Sequence, residues 1–402
     1  MKVRNFLIAA LALVAAATSC KDKNLPFVSL EKDNYCDAAK ALLPGAATLD
    51  SLAYLVGTQV GAELSYAGYG QLDMDRIAKA VSDFRSVKFD EFNEAAKTNF
   101  SDEEDAAIVD KFEVSPALLG DVQRRYMGAK DDSLVGVSPE LADSMSYLYG
   151  VLLGYRTNDM DAKMDRIRKG ADDFFAADTD GQFQQFAMAG FNDPEYEAYA
   201  AAYEIDPSKF NEMIRAFYDA QTEAAKVNYR EQGKVFFEKA EDVKGFEAKS
   251  VSYNVEGTDS LATSKILVRF VEQGAGEQVA YGDSFKVTYK GMHIDGNNFD
   301  EGEFPVNDFS EFGLIKGFTE ALLLMKEGDK VEVVIPGELG YGSRGSYNPW
   351  SGVYTIYPDE VLVFELSVSE LVKPEPEPEA PAAPAIEVED WEVEGEESAI
   401  DF

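Results

Sequence analysis

Histidine occurs once in this chain of 402 residues, cysteine and tryptophan twice each, and 37 lysines and arginines face 74 aspartates and glutamates. Each scarcity narrows the chemistry. A Ser-His-Asp centre would have to be built on His293, which stands between Met292 and Ile294 beside a hairpin and is expected at the surface. Two cysteines, Cys20 and Cys36, make no disulfide framework, and no Cys/His cluster has metal-ligand spacing. Asp178-Thr179-Asp180-Gly181 begins like a calcium loop, but it lacks the third ligand before the glycine and has Ala189 where the closing glutamate belongs. There is no Gly-Lys-Ser phosphate loop. No metal and no cofactor are expected. A formal net charge of −37 argues against a surface for nucleic acid or anionic lipid and leaves proteins as the natural partners.

Long apolar runs are missing as well. The run from Phe6 to Ala17 is too short for a bilayer span, which needs about 20 residues. Lys2 and Arg4 precede it, and the small residues Ala17, Thr18 and Ser19 lead to Cys20. This resembles a bacterial lipoprotein signal, with Ala17 at a position where leucine is usual. The resemblance implies a signal peptide over 1–20, lipidation at Cys20, and a lipid-anchored protein of the cell envelope, in the outer membrane facing periplasm or cell surface. Residues 21–47, with Pro26, Pro44 and Gly45, are expected to be a polar tether. Residues 374–402, rich in Pro, Glu and Ala, are expected to be a disordered acidic tail.

What the first half does contain is a repeat of roughly 90 residues. Ser51-Leu52-Ala53-Tyr54-Leu55-Val56-Gly57 returns as Ser144-Met145-Ser146-Tyr147-Leu148-Tyr149-Gly150. Met74-Asp75-Arg76-Ile77 returns as Met164-Asp165-Arg166-Ile167, Asp83-Phe84 as Asp173-Phe174, and Phe112-Glu113-Val114-Ser115-Pro116 as Tyr203-Glu204-Ile205-Asp206-Pro207. The copies, 48–137 and 138–248, read as helices. Tyr54, Gly57, Gly61 and Leu64 share one face, and Ser115-Pro116 and Asp206-Pro207 are helix-start pairs. Phe210 to about Lys244 reads as one long helix that would act as a stalk.

The segment 249–373 changes period. Phe285, Val287 and Tyr289 alternate, as do Val331, Val333 and Ile335, and then Leu362, Phe364, Leu366 and Val368, so each run predicts half-buried sheet. Asp295-Gly296-Asn297-Asn298 supplies a tight hairpin. Ile315, Phe318, Leu322 and Met325 have helical spacing and stop at Glu327-Gly328-Asp329.

The fragments VTYKGM (287–292), DGNNFD (295–300), LIKGF (314–318), GYG (340–342) and LVFELSV (362–368), in this order, resemble the FKBP-type peptidyl-prolyl isomerases. The helical copies are similar, less distinctively, to the N-terminal dimerisation domain of macrophage-infectivity-potentiator-like isomerases. The implied fold is α+β and multidomain: two α-helical repeats, then an antiparallel β-sheet wrapped on a short helix. The resemblance assigns Tyr289, Phe299, Asp300, Ile315, Phe318, Tyr341 and Phe364 to the catalytic pocket and Phe304, Leu314 and Ile356 to substrate binding. Phe318 stands where the family usually has tryptophan, and the loops after Phe304 and after Ser343 are longer than usual. Which of Phe304, Phe309 and Phe312 closes the pocket stays open.

The expected function is prolyl isomerisation of proline-containing polypeptides, assisting the folding of envelope or secreted proteins. The alternative is a holdase chaperone or protein-binding module with a weakly active FKBP domain. Because one chain carries both helical copies, a monomer with an internal pseudo-dimer is expected.

Overall fold

The computed structural model describes residues 25–69, 72–131, 136–309, 313–350 and 352–374. The signal, Cys20, Phe312 and the tail beyond Pro374 lie outside the described residues. Among those described, no helix is long and apolar enough to cross a membrane.

After a single turn α1 (Asp37–Lys40), the first copy forms α2 (Ala46–Tyr66), α3 (Met74–Arg85), α4 (Phe89–Lys97), α5 (Ala106–Val109) and α6 (Leu119–Asp131). The second forms α7 (Pro139–Arg156), α8 (Met164–Ala177), α9 (Gln182–Met188), α10 (Tyr196–Ala200) and α11 (Phe210–Glu241). Their starts follow from sequence: Asp73 accepts from Asp75 N ahead of α3, and Ser138 accepts from Leu141 N ahead of α7 with Pro139 in the first turn.

The copies are interlocked. Helix α2 of the first lies on α8 of the second, and α3 of the first lies on α7 of the second. Glycine makes this closeness possible, since a Cβ on Gly57 would stand 2.0 Å from the Ile167 carbonyl oxygen and one on Gly150 would stand 2.4 Å from that of Ile77. The polar contacts repeat about the same pseudo-dyad. Tyr54 Oη donates to Asp173 at 2.8 Å and accepts from Glu204 N at 2.8 Å. Tyr147 Oη donates to Asp83 at 2.6 Å and accepts from Glu113 N at 2.9 Å. Arg166 lies over the Tyr54 ring and pairs with Asp50 and Glu204, while Arg76 lies over Tyr147 and pairs with Asp143 and Glu113.

The C-terminal domain is a six-stranded antiparallel sheet. Its strands are β1 (Glu247–Asn254), β2 (Leu261–Glu272), β3 (Ser284–Met292), β4 (Asn298–Val306), β5 (Lys330–Ile335) and β8 (Leu362–Val372), in the order β1-β2-β5-β8-β3-β4. A small hairpin, β6 (Ser346–Asn348) and β7 (Val353–Ile356), stands apart. Helix α12 (Lys316–Leu324) presses Phe318, Ala321 and Leu322 onto one face of the sheet, against Val287, Val333, Leu366 and their neighbours.

Two expectations need correction. Although β3 and the 364–368 run of β8 alternate as expected, the strands β2, β5 and β8 are not half-buried at Leu267, Val334 and Val363, because this face is covered by Phe236 and Ala240 of α11. Their uninterrupted runs Ile266-Leu267-Val268, Val333-Val334-Ile335 and Leu362-Val363-Phe364 are the signature of burial on both sides. Residues 25–44 are not a free tether either. Leu25, Leu30, Tyr35 and Ala39 are buried, Val28 N donates to Ile294 O at 3.0 Å, and Cys36 N donates to Asn228 Oδ1 at 3.0 Å. The apolar spacing of this segment lets it strap α11 to the sheet.

Candidate active site

The β3–β4 hairpin builds one wall. Gly296 takes φ 83° in the turn, and Asp295 Oδ1 accepts from Asn297 N at 2.8 Å. Gly291 pairs with Asp300 and Met292 with Asn298, which leaves Phe299 as the extra residue of a β-bulge. A bulge breaks the alternation of side chains, so Phe299 and Asp300, adjacent in sequence, both serve the inner face. Phe299 then meets Phe364 edge-on, with centroids 5.7 Å apart. The absence of a side chain at Gly291 leaves room for this, as a Cβ there would lie 2.5 Å from the Phe299 ring.

The other walls converge on the same space. Phe318, on the buried face of α12, lies edge-on to Phe364 at 5.3 Å and to Tyr289 at 6.4 Å. Phe304 lies edge-on to Tyr289 at 5.6 Å. Leu314 and Ile315 pack on the same core just before α12, and Ile356 ends β7, almost fully buried. Of the two described among the three phenylalanines left open by sequence, Phe304 lies beside Tyr289, while Phe309 is buried against Tyr281 and Phe285.

Polar groups are few. Tyr289 Oη donates to Asp300 Oδ2 at 2.8 Å, and Asn298 Oδ1 accepts from Asp300 N at 3.0 Å, which fixes the carboxylate's orientation at an exposed rim. Burial, then the Asp300 bond, pushes the Tyr289 hydroxyl up to about 12. Tyr341, between two short turns and 39% exposed, is raised by burial and by the charge of Asp300. The arrangement is a cluster of packed aromatic rings with one anchored carboxylate and two phenols at its rim. An open groove of about 840 Å³ over β3, β5 and β8 is lined by Tyr289 together with the charged residues Lys290, Glu301, Glu303, Lys330 and Glu365.

Sequence reasoning missed a pair behind this wall. His293 is not a surface residue: its side chain is 16% exposed, and Nδ1 lies 2.6 Å from Glu360 Oε1, whose side chain has no exposure. The available signal was Glu360 itself, a charge at the threshold of the buried run Val361-Leu362-Val363.

The profile of the FKBP-type peptidyl-prolyl cis-trans isomerases matches residues 275–369. FkpA of Escherichia coli K12, an FKBP-type peptidyl-prolyl cis-trans isomerase, is 32% identical over 189 residues, covering 46% of this chain and 64% of that protein. The FKBP-type 22 kDa isomerase of the same organism is 39% identical over 140 residues, covering 33% of this chain and 61% of that one. The outer membrane protein MIP of Legionella longbeachae is 33% identical over 112 residues, covering 27% and 46%. The crystal structure of Escherichia coli FkpA superposes with a TM-score of 0.32 at 26% identity, over 48% of this chain and 83% of that one. The chain thus spans a little under two thirds of the first of these curated relatives. Over residues 275–369 the chain is similar to the FKBP-type peptidyl-prolyl cis-trans isomerase family.

Proposed function

We propose that the chain is a prolyl isomerase of the cell envelope, acting on proline-containing polypeptides in the cavity of Tyr289, Phe299, Asp300, Phe304, Phe318, Tyr341 and Phe364, with Leu314, Ile315 and Ile356 completing the apolar lining. The observation that supports it is the bulge at Phe299, which sets an aromatic ring and an oriented carboxylate side by side next to the packed rings of Phe318 and Phe364.

Rotation about an X-Pro bond passes through a twisted amide about 18 to 20 kcal/mol above the planar form, with no bond made or broken. No nucleophile or proton shuttle is needed. The twisted amide has lost resonance and carries less charge separation, so a cavity that replaces water by aromatic rings favours it over the planar form. Asp300 and the Tyr341 hydroxyl orient the substrate backbone. The test is kcat/KM on a Phe-Pro peptide: Asp300→Asn should lower it by about tenfold or more, from a lost charged hydrogen bond, and Phe318→Trp should preserve or raise it. Full activity in both Asp300→Asn and Phe299→Ala would place the chemistry elsewhere.

Anchoring through Cys20 is supported by its signal-like setting and by a relative that bears the name of an outer membrane protein. Cys20→Ala should move the protein out of the membrane fraction. A monomer is supported by the α2–α8 and α3–α7 pairings inside one chain, and light scattering that finds a dimer would contradict it. A second reading, a binding module, draws on an apolar cavity of about 240 Å³ in the helical half, lined by Phe92, Ala96, Phe100, Leu119, Leu148 and Val151. Suppression of aggregation of a proline-free client, with no isomerase activity, would favour it.

A further inference from the structure

Directly behind the cavity lies a titratable cluster that the isomerisation does not use. Glu360 accepts from Tyr357 N at 2.8 Å through one oxygen and meets His293 Nδ1 through the other. The imidazole packs on Phe299, centroids 5.2 Å apart, and edge-on to Tyr229 of α11 at 6.0 Å. Tyr229 in turn lies 4.3 Å from the ring of Tyr357, the residue after Ile356. The backbone holds His293 in place, since its N donates to Asn297 O and its O accepts from Gly296 N, both at 2.9 Å. One ion pair therefore touches a wall of the cavity, the loop that carries another wall, and the long helix from the helical half.

We propose that the His293–Glu360 pair is a positioning device for the proline cavity, holding Phe299 and the 357–361 loop seated on α11 while it carries its proton and loosening both when the proton leaves. The proposal rests on the isomerase reading of that cavity. A carboxylate without solvent exposure persists only when paired or hydrogen-bonded, so deprotonation of its partner leaves Glu360 with the Tyr357 amide alone.

The direction of the pH response follows from what faces the ring. Glu360 faces it from the loop and Asp295 from the hairpin turn, while Tyr229 and Tyr357 bring phenols raised by burial, Tyr357 to about 12. Burial disfavours the charged imidazole, but the Glu360 bond and the charges of Glu360 and Asp295 outweigh it, and His293 ends above its ordinary 6.5. Burial raises the Glu360 carboxyl as well, so the pair is complete only once Glu360 has ionised, and it is lost again as the pH rises through the raised folded value of His293. Activity should therefore fall on the alkaline side.

The experiment measures kcat/KM and KM on a Phe-Pro peptide over about pH 6 to 9 for the full chain, His293→Gln and Glu360→Gln. Wild type should lose about threefold or more toward high pH, as a displaced wall costs rate. Both variants should be flat at a reduced level. Because the chain has one histidine, the ring signals of His293 in an isotope-labelled sample assign themselves, and they should titrate above 6.5 with the Phe299 and Tyr229 signals following the same midpoint. A midpoint at or below 6.5, or a wild-type profile matching His293→Gln at every pH, overturns the proposal. If a variant does not fold, the wild-type titration and its coupling to Phe299 decide the matter. An inactive wild type would sink the isomerase reading, and the ring titration would still decide whether the pair holds the wall.

Discussion

The two lobes of the helical half have one framework and two fillings. In each, a tyrosine bridges an aspartate and a backbone amide of the same neighbouring copy, and a helical turn closes on a phenylalanine at positive φ, Phe100 in one and Phe191 in the other. In the second lobe Phe186, Tyr196 and Tyr199 fill the interior with Phe183, and the hydroxyls of Tyr199 and Tyr203 lie 2.5 Å apart. The matching positions of the first lobe are Ala95, Asp105 and Ile108, and elsewhere in that lobe an apolar cavity of about 240 Å³ is lined by Phe92, Asn93, Ala96 and Leu119. Duplication preserved the bonds that set helix against helix and let the side chains around them diverge.

The largest expected effect breaks the framework at equivalent points. Gly57→Val and Gly150→Val each push a side chain into a facing carbonyl, and each should destabilise by at least about 3 kcal/mol, read as a lower urea midpoint by helical circular dichroism. If only one does, the lobes are not equivalent supports. Next come Tyr54→Phe and Tyr147→Phe, which remove the same two bonds and should cost about 1.5 to 3 kcal/mol each, equal within error. The same tyrosines set an alkaline limit. Burial, then the Asp173 bond, pushes Tyr54 up to about 12, so its contribution is complete below pH 10 and is lost as pH climbs toward 12. An alkaline unfolding limb that becomes shallower in Tyr54→Phe is the expected result. The smallest effect sharpens the difference: Ala96→Leu in the first lobe should be neutral or stabilise by up to about 1 kcal/mol by filling the hollow, whereas Ala171→Leu, at a fully buried position of the other copy, should destabilise. Equal responses to these two would mean the hollow is not a real difference.

Much of the candidate site was legible because its residues sit in short fragments with strong local geometry. Asp295-Gly296 demands a turn, and the alternation in Val287-Thr288-Tyr289 demands a strand, so Tyr289 and the Phe299-Asp300 pair were placed near each other by chain distance alone. Phe304 could not be chosen over Phe309 in this way, since both follow the hairpin and only the packing of Tyr281 and Phe285 draws Phe309 aside. His293 was misjudged for the same reason. Its partner stands 67 residues away, and burial of one polar side chain is decided by whether another arrives to meet it.

The sequence by itself determined the division into repeated helices and a sheet domain, the hairpin, the floor helix and most of the aromatic set, because each is written in periodicity, turn chemistry or ordered fragments a few residues long. Tertiary structure alone decided that α2 pairs with α8 rather than with a helix of its own copy, that residues 25–44 strap α11 to the sheet, and that β2, β5 and β8 are covered on both faces at Leu267, Val334 and Val363. Those outcomes depend on which apolar surface meets which. Period 3.6 or 2 marks a face as buried, and only contact between distant parts of the chain names what buries it.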